Sequence, residues 1–567
     1  MRIRIITAIF LIPAWCLSAA SAQLANEDIR GLYAKDIEQV LHLDEDQIDL
    51  ATAVLLLSKQ YDSAINLQKY RSRIDDMAFE ILGRLETGKI PHNEYAVSVI
   101  NKYLFKELDF KSVDTADDPE DLFLDRVIDR KRGYCLSLSI LYLSIAERIG
   151  LSVYGVVVPG HFFVRYDDGK TRFNIESTST GVNPPDEHYT TKFKVPENNP
   201  GGIYMINLTK RQTIGCFCNN LGNIYQERGN IDSALVELER AVTINPTLAM
   251  AHTNLGNIYL KKDLIEEAIE EYETAMEINP ADAKTHNNLG NAYKRQDRLL
   301  SAKFHYKESM GLDPNFIDPL RNIADLYCAE GLFGQAIMSL NAALQIEPKN
   351  AEVYAQMGDV YRQKQDYNQA IVHYQTALFI KSDLAEAQCG LGYAFLKKDR
   401  PYDAIASFQR SINCKADYAA AYFGLASAYN GIKSIDEEIQ TYEKLLVIAP
   451  DTFEAMQNLG NAYMAKEMFD AAIEQYIKAL SLHGKSGEIY YNLGVAYANK
   501  KLYTQAIAQY AKAIEINLNN ALAHNAIAIS YYYVGKYDLA WKHIEIAKKL
   551  GYDVPDDLYK VVYDKVH

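Results

Sequence analysis

Seven cysteines and two tryptophans are spread over 567 residues, and there is no excess of positive charge. The 59 Lys and Arg residues face 74 Asp and Glu, for a formal net charge of −15. Phosphate binding needs a basic face, so nucleic acid is excluded as the expected partner. After the first 22 residues no apolar run is long enough to cross a bilayer. The cysteines lack four-ligand zinc spacing and form no spaced disulfide framework. His188 beside Asp186 and Glu187 is too small a set to predict a metal, so no metal or other cofactor is expected.

The extreme N-terminus differs from the rest. Arg2 and Arg4 precede an apolar stretch from Ile5 to Leu17, followed by Ser18-Ala19-Ala20-Ser21-Ala22. This is the pattern of a secretory signal cleaved before Gln23, with an uncleaved anchor as the alternative. Cys16 follows the bulky Trp15, which disfavours lipoprotein-type cleavage. The expected mature chain is exported, periplasmic or extracellular, without a stable membrane span. Cys328, Cys389 and Cys414 read as small core residues of helices. Cys216 and Cys218 leave a redox pair open.

A leucine-like residue followed by Gly or Ala recurs every 34 residues, ten times, from Leu221-Gly222 through Leu255-Gly256 and Leu289-Gly290 to Ile527-Ala528. Four residues after each anchor stands an aromatic, such as Tyr225, Tyr259 and Tyr293. Thirteen after it stands Ala, with Glu438 the exception. Pro closes five repeats, at Pro246, Pro280, Pro314, Pro348 and Pro450. A fixed period of this size predicts a solenoid of helix pairs. Small residues let paired helices approach, the aromatic fills the gap between neighbouring units, and Pro ends the second helix. Residues 211–550 resemble the tetratricopeptide repeat (TPR) family. The resemblance implies a concave groove lined by the first helices, which binds protein or extended peptide. The groove candidates are Asn220, Asn254, Asn288, Asn322, Asn458 and Asn492 just before the anchor, and Asn223, Asn257, Asn291 and Asn461 two residues after it. An amide gives and takes hydrogen bonds at once, which suits a peptide backbone. This column resembles the asparagine ladder of TPR-containing O-GlcNAc transferases. It is equally readable as a common repeat consensus. Arg295 and Arg321, with Lys294 and Arg362, read as carboxylate holders or as a solvated face. Residues 551–567, with Leu558, Val561 and Val562 at helical spacing, are expected to cap the last repeat.

Residues 23–207 have no such period. Apolar spacing predicts helices over 48–67, 70–88 and 92–106, then a buried helix opening at Cys135 and running to Gly150. Strands follow at 153–158, 161–166 and 171–176, with turns at Pro159-Gly160 and Asp167-Asp168-Gly169. Cys135 thus opens a helix, His161 starts one strand and Glu176 ends the next, at separations of 26 and 15 residues. A helix N-terminus favours a thiolate, a His can take the thiol proton, and a carboxylate can orient that His. The stretches Arg132-Gly133-x-Cys135-Leu136-Ser137, Val158-Pro159-Gly160-His161-Phe162-Phe163 and Phe173-Asn174-Ile175-Glu176 resemble the transglutaminase-like superfamily, and its SirB-type domain in particular. The resemblance implies a papain-like α+β fold in which Cys135 is nucleophile, His161 base and Glu176 orienting acid. Glu stands where superfamily triads more often have Asp.

The expected architecture is therefore mainly α: a signal peptide at 1–22, a transglutaminase-like domain at 23–207, ten TPR units at 211–550 and a capping helix. The expected function is an exported protein-binding scaffold whose N-terminal domain performs thiol acyl transfer on a peptide held by the groove. The alternative is a catalytically silent adaptor that organises envelope protein complexes.

Overall fold

The computed structural model describes residues 34–113, 118–195, 204–482 and 484–567. The signal segment expected at 1–22 lies outside the described residues. The chain divides into two compact units, residues 1–319 and 320–567.

The first unit opens with helices α1 (Ile37–Leu41), α2 (Leu50–Tyr61), α3 (Leu67–Gly88) and α4 (Glu94–Asn101). The first long helix ends six residues earlier than its apolar spacing suggests. Asp62 leaves the helical region, and Asn66 caps α3 by accepting from the Lys69 N–H. A two-residue strand, β1 (Lys111–Ser112), pairs in parallel with β2 (Arg132–Gly133) across helix α5 (Leu124–Arg130). Strand β2 feeds directly into α6 (Cys135–Arg148), which is buried from Leu136 through Ala146. An antiparallel sheet follows, in the order β3 (Val153–Val158), β4 (His161–Asp167), β5 (Arg172–Ile175). Val158 pairs with His161, so the β3–β4 turn contains only Pro159 and Gly160. Gly160 has φ +71°, as a turn with Pro before a left-handed residue requires. Pro184-Pro185 leads into helix α7 (Asp186–Lys192), which carries the Asp186, Glu187 and His188 set.

Three helix pairs complete this unit: α8 (Lys210–Glu227) with α9 (Ile231–Ile244), α10 (Ala249–Lys261) with α11 (Ile265–Ile278), and α12 (Ala283–Arg295) with α13 (Leu299–Leu312). Helix α8 has 18 residues where α10 and α12 have 13. The extra turn carries the repeat into the N-terminal domain. One hydrophobic core contains Val54, Phe123 and Leu141 together with Ile214, Phe217 and Leu221 of α8. The Phe123 and Phe217 rings lie 6.5 Å apart.

The second unit continues the pairs from Asp318–Ala329 with Phe333–Ile346 to Ala521–Tyr533 with Tyr537–Lys549. A last helix, Asp556–Val566, buries Val562 against Ile544 and Ala547, while Tyr559 packs on Trp541. Val561 is exposed. Of the cysteines expected in the core, Cys328 and Cys389 are buried, but Cys414 is exposed because it is the last residue of its helix.

The anchor glycines earn their period through an aromatic that sequence reading did not single out. A Cβ on Gly256, Gly290, Gly358, Gly460 or Gly494 would come within 2.5–2.7 Å of the ring of Tyr272, Tyr306, Tyr374, Tyr476 or Tyr510. Each of these tyrosines follows its anchor by 17 residues and is almost wholly buried. The aromatic four residues after the anchor does bridge units. Tyr293 Oη donates to Glu273 and Tyr463 Oη to Glu443, both at 2.6 Å and both on the preceding repeat. Glu438, the exception in the Ala column, is buried and accepts from Asn430 Nδ2 at 3.0 and 3.1 Å.

Burial raises the Glu438 pKa, so the folded state favours the protonated acid. Its contribution is greatest at low pH and is lost as pH rises past the usual carboxylate range. Glu438→Ala, which restores the column, is expected to raise the thermal midpoint of the second unit by about 1 kcal/mol equivalent at pH 7–8 and by less at pH 4. Ala472→Glu should lower it. Differential scanning calorimetry of both variants checks this; a gain larger at pH 4 than at pH 8 would contradict the burial argument.

Candidate active site

The N-terminus of α6 is built by the residues around Cys135. Gly133 has no room for a side chain: a Cβ there would lie 2.6 Å from Ser137 Oγ and 2.9 Å from Val127. Ser137 Oγ accepts from the Tyr134 N–H at 2.9 Å and donates to the Asp121 carbonyl at 2.7 Å. Tyr134 Oη donates to the Asp118 carbonyl at 2.5 Å. The loop before Cys135 is thus tied on both sides. Cys135 becomes the first residue of a 14-residue helix whose leading N–H groups have no intrahelical partner. Those groups, the Cys135 N–H first among them, are the available oxyanion donors.

His161 and Glu176 converge on this point. His161 Nε2 lies 2.8 Å from Glu176 Oε2, and the two side chains are 13% and 7% exposed. With Nε2 engaged there, Nδ1 is the nitrogen left to face Cys135, which lines the same cleft and acts on the ring electrostatically. Glu176 is fully committed. Its Oε2 also accepts from Tyr189 Oη at 3.1 Å, and its Oε1 accepts from the Thr178 N–H at 3.1 Å and from Thr178 Oγ1 at 2.6 Å. Ser139 of α6 and Ser177, next to Glu176, share a buried hydrogen bond of 2.9 Å. The helix that Cys135 opens is therefore pinned to the segment that carries Glu176.

The imidazole plane is fixed by stacking. Phe193 lies parallel to it at 4.6 Å and 2°, and Tyr189 stacks on Phe163 at 3.8 Å. Beneath them Arg165, fully buried, donates to Asn174 Oδ1 at 2.7 Å, to the Met205 carbonyl at 2.6 Å and to Asp186 Oδ1 at 3.0 Å. Asp186 therefore anchors α7. Tyr189, Phe193, Thr178 and Ser177 were not foreseen from sequence. The signal was the pair of aromatics in an otherwise polar segment, at a spacing that puts both on one helix face.

Burial lowers the His161 pKa, but hydrogen bonds and opposite charge from Cys135 and Glu176 outweigh it and raise the value to about 9. Burial raises the Glu176 pKa, and the His161 and Thr178 hydrogen bonds reverse this to a net lowering. Cys135 and His161 line a cleft of about 170 Å³ whose other wall is the first repeat, through Cys216, Asn219 and Asn220, and the start of the second, through Leu248 and Met250. A larger cleft of about 610 Å³ opens at the far end of α6, around Leu143, Glu147 and Val153. Neither Cys nor His is among its lining residues, so its size does not make it the candidate thiol site.

The groove candidates divide by what they bond. Tyr272, Tyr306 and Tyr476 donate to Asn257, Asn291 and Asn461 of their own repeats at 2.7–2.8 Å. Asn288 donates to Asn257 at 2.9 Å, Asn492 to Asn461 at 3.2 Å, Asn458 to Tyr442 at 3.1 Å and Asn254 to Asn219 at 2.8 Å. These amides tie successive units together. Arg295 holds Asp263 and the Leu260 carbonyl, and Arg362 holds Asp359. Those guanidinium groups thus already hold carboxylates of the chain itself. Arg321 bonds Gln356. Cys216 and Cys218 are free, buried thiols two apart on α8 and face different ways; burial pushes Cys216 up to about 12.

A family model described as "Transglutaminase-like superfamily" matches residues 68–187, and TPR models match stretches between 222 and 520. The chain is a transglutaminase-like domain followed by tetratricopeptide repeats. Among curated relatives it is 29% identical over 130 residues to a "UPF0162 protein" of Xylella fastidiosa, covering 22% of this chain and 46% of that one. It is 21% identical over 134 residues to a UPF0162 protein of Pseudomonas aeruginosa, covering 24% and 50%. The chain spans about half the length of the curated relatives it matches. Similar solved structures include the TPR protein YrrB, at 20% identity and TM-score 0.31 over 32% of this chain and 95% of that one. Another is MamA, at 27% identity and TM-score 0.29 over 31% and 96%. The TPR match supports protein partners. No described helix is long and apolar enough to cross a membrane.

The raised His161 value stabilises the fold fully below its ordinary 6.5 and is lost as pH rises through about 9. The lowered Glu176 value acts above the usual carboxylate range and is lost as pH falls. Cys135→Ala and Glu176→Gln should each lower the His161 titration midpoint, read by NMR of the imidazole ring, by about one pH unit. An unmoved midpoint in both variants would show that neither group acts on His161.

Proposed function

We propose that this chain is an exported thiol acyl transferase whose repeats hold the peptide or protein it acts on. The observation that supports this reading most is the convergence of Cys135 and the His161–Glu176 pair on one cleft that the first repeats help to wall. The thiolate of Cys135 adds to the carbonyl carbon of an amide, with the oxyanion facing the N–H groups that open α6. His161, protonated at neutral pH by virtue of its raised pKa, gives its proton to the leaving amine as the C–N bond breaks. Water or a second amine then attacks the thioester, loses a proton to His161 and releases Cys135. Water gives hydrolysis; an amine gives a cross-link.

The amide columns support the binding half of the proposal. Each inter-repeat bond fixes the side chains of Asn254, Asn288 and Asn492 along the first helices, so a peptide would meet a preset row of polar groups. The N-terminal signal pattern supports the exported location.

Iodoacetamide at pH 6 is expected to label Cys135 at least about tenfold faster than it labels the same residue in His161→Ala. Equal rates would leave the second reading, a silent adaptor. In that case Cys135→Ala should enrich no covalently processed protein from an envelope fraction, only partners that wild type enriches equally.

A further inference from the structure

The far wall of the cleft is made by the first repeat and the start of the second, and one residue of the first breaks the pattern of the array. In later repeats, the Asn just before the anchor donates its amide to the preceding unit: Asn254 to Asn219, Asn288 to Asn257, Asn458 to Tyr442 and Asn492 to Asn461. Asn220 occupies that position in the first repeat, where no repeat precedes it. What stands in the place of the preceding unit is the cleft of Cys135 and His161, and Asn220 lines it.

The hydrogen bonds around Asn220 run in one direction. Asn254 Nδ2 donates to Asn219 Oδ1 at 2.8 Å, and Asn219 Nδ2 donates to Asn220 Oδ1 at 3.4 Å. Asn219 is buried, so its amide has little freedom to turn. These contacts turn the Asn220 oxygen toward Asn219 and leave its NH2 as the donor end. The ligand that matches a fixed N–H donor next to a thiol nucleophile is a peptide carbonyl.

We infer that Asn220 is a specificity-determining residue of the cleft, donating to a backbone carbonyl of an extended peptide whose acyl group lies over Cys135. This rests on the thiol acyl-transfer reading and adds its substrate class: an acyl donor with peptide units flanking the reacting amide, selected by the first repeat. Small amides without a flanking carbonyl gain nothing from Asn220. The repeats thereby act within the site of chemistry as well as upstream of it.

The test compares two alkylating probes on the full-length chain, iodoacetamide and acetyl-trialanyl chloromethyl ketone, with Cys135 labelling read by mass spectrometry. Wild type should prefer the peptidyl reagent. Asn220→Ala removes the amide, and Asn220→Asp keeps its shape and oxygens but removes the donor. Both should lower the ratio of peptidyl to iodoacetamide rates about tenfold, the loss of one directed hydrogen bond, and intact iodoacetamide labelling reports an intact site. Ratios within about twofold of wild type in both variants, with Cys135 still fast toward iodoacetamide, overturn the role of Asn220 and leave the thiol reading standing. Cys135 no faster toward iodoacetamide in wild type than in His161→Ala overturns both.

Discussion

Everything in the first unit depends on how α8 is held. Its N-terminal turn is clamped by polar bonds: Lys210 Nζ reaches Glu147 Oε1 and the Ile48 carbonyl, both at 2.6 Å, and Arg211 donates to the Leu43 carbonyl. Burial raises the Glu147 pKa against the opposing Lys210 charge, so this clamp joins a desolvated acid to an ammonium group. One turn further on, Ile214, Phe217 and Leu221 enter the same core as α2, α5 and α6. An exposed linker would have let the first repeat swing. A shared core does not, because separating it would expose apolar surface at roughly 25 cal/mol per Å². The helix that carries Asn219 and Asn220 is thereby as fixed relative to Cys135 as the strand that carries His161.

The same principle, polar groups consumed by structure first, governs the repeats. A ladder of amides along a groove invites a reading as a peptide-binding surface. The geometry assigns much of its hydrogen-bonding capacity to the array itself: Asn257 and Asn461 each accept from a buried tyrosine of their own unit and from an Asn of the next. Buried Tyr hydroxyls need such partners, and the anchor glycine brings their rings close enough to require them. Where the preceding ring leans furthest, at Gly390 and Gly424, the amide column is interrupted by glycine, since a Cβ there would sit 2.4–2.5 Å from Tyr374 or Phe408. The period of 34 is thus a register of steric gaps and polar ties together, and ligand binding must use what remains.

Periodicity made the helix pairs legible, because every unit repeats one packing problem and ten copies average out local noise. The sheet was legible for a different reason. Pro159-Gly160 and Asp167-Asp168-Gly169 are turn chemistry with a mechanism, and the strands between them have no other way to run. Cys135, His161 and Glu176 were readable as a set because secondary structure alone brings them to one edge. What supports them was not readable. Tyr189 and Phe193 reach His161 only through the fold of a segment dominated by Pro, Asp and Thr. Asn220 was visible as a repeat position but not as a cleft residue, since its neighbour in space is 85 positions away in sequence. The boundary drawn between 207 and 211 follows the motif; the hydrophobic core crosses it.

The choice of Glu at position 176 follows from the same geometry. One carboxylate serves two separated sets of donors: Thr178 on Oε1, His161 and Tyr189 on Oε2. An Asp would withdraw both oxygens by about one C–C bond length, roughly 1.5 Å, and turn hydrogen bonds of 2.6–2.8 Å into gaps. The longer arm has a cost in side-chain freedom, which the Thr178 bonds remove by fixing Oε1 to the backbone two residues on. Tyr189 then supplies a donor to Oε2 from within a buried stack of rings. The acid is therefore buried, held at both oxygens and favoured in its ionised form, which lets it hold an imidazolium beside Cys135.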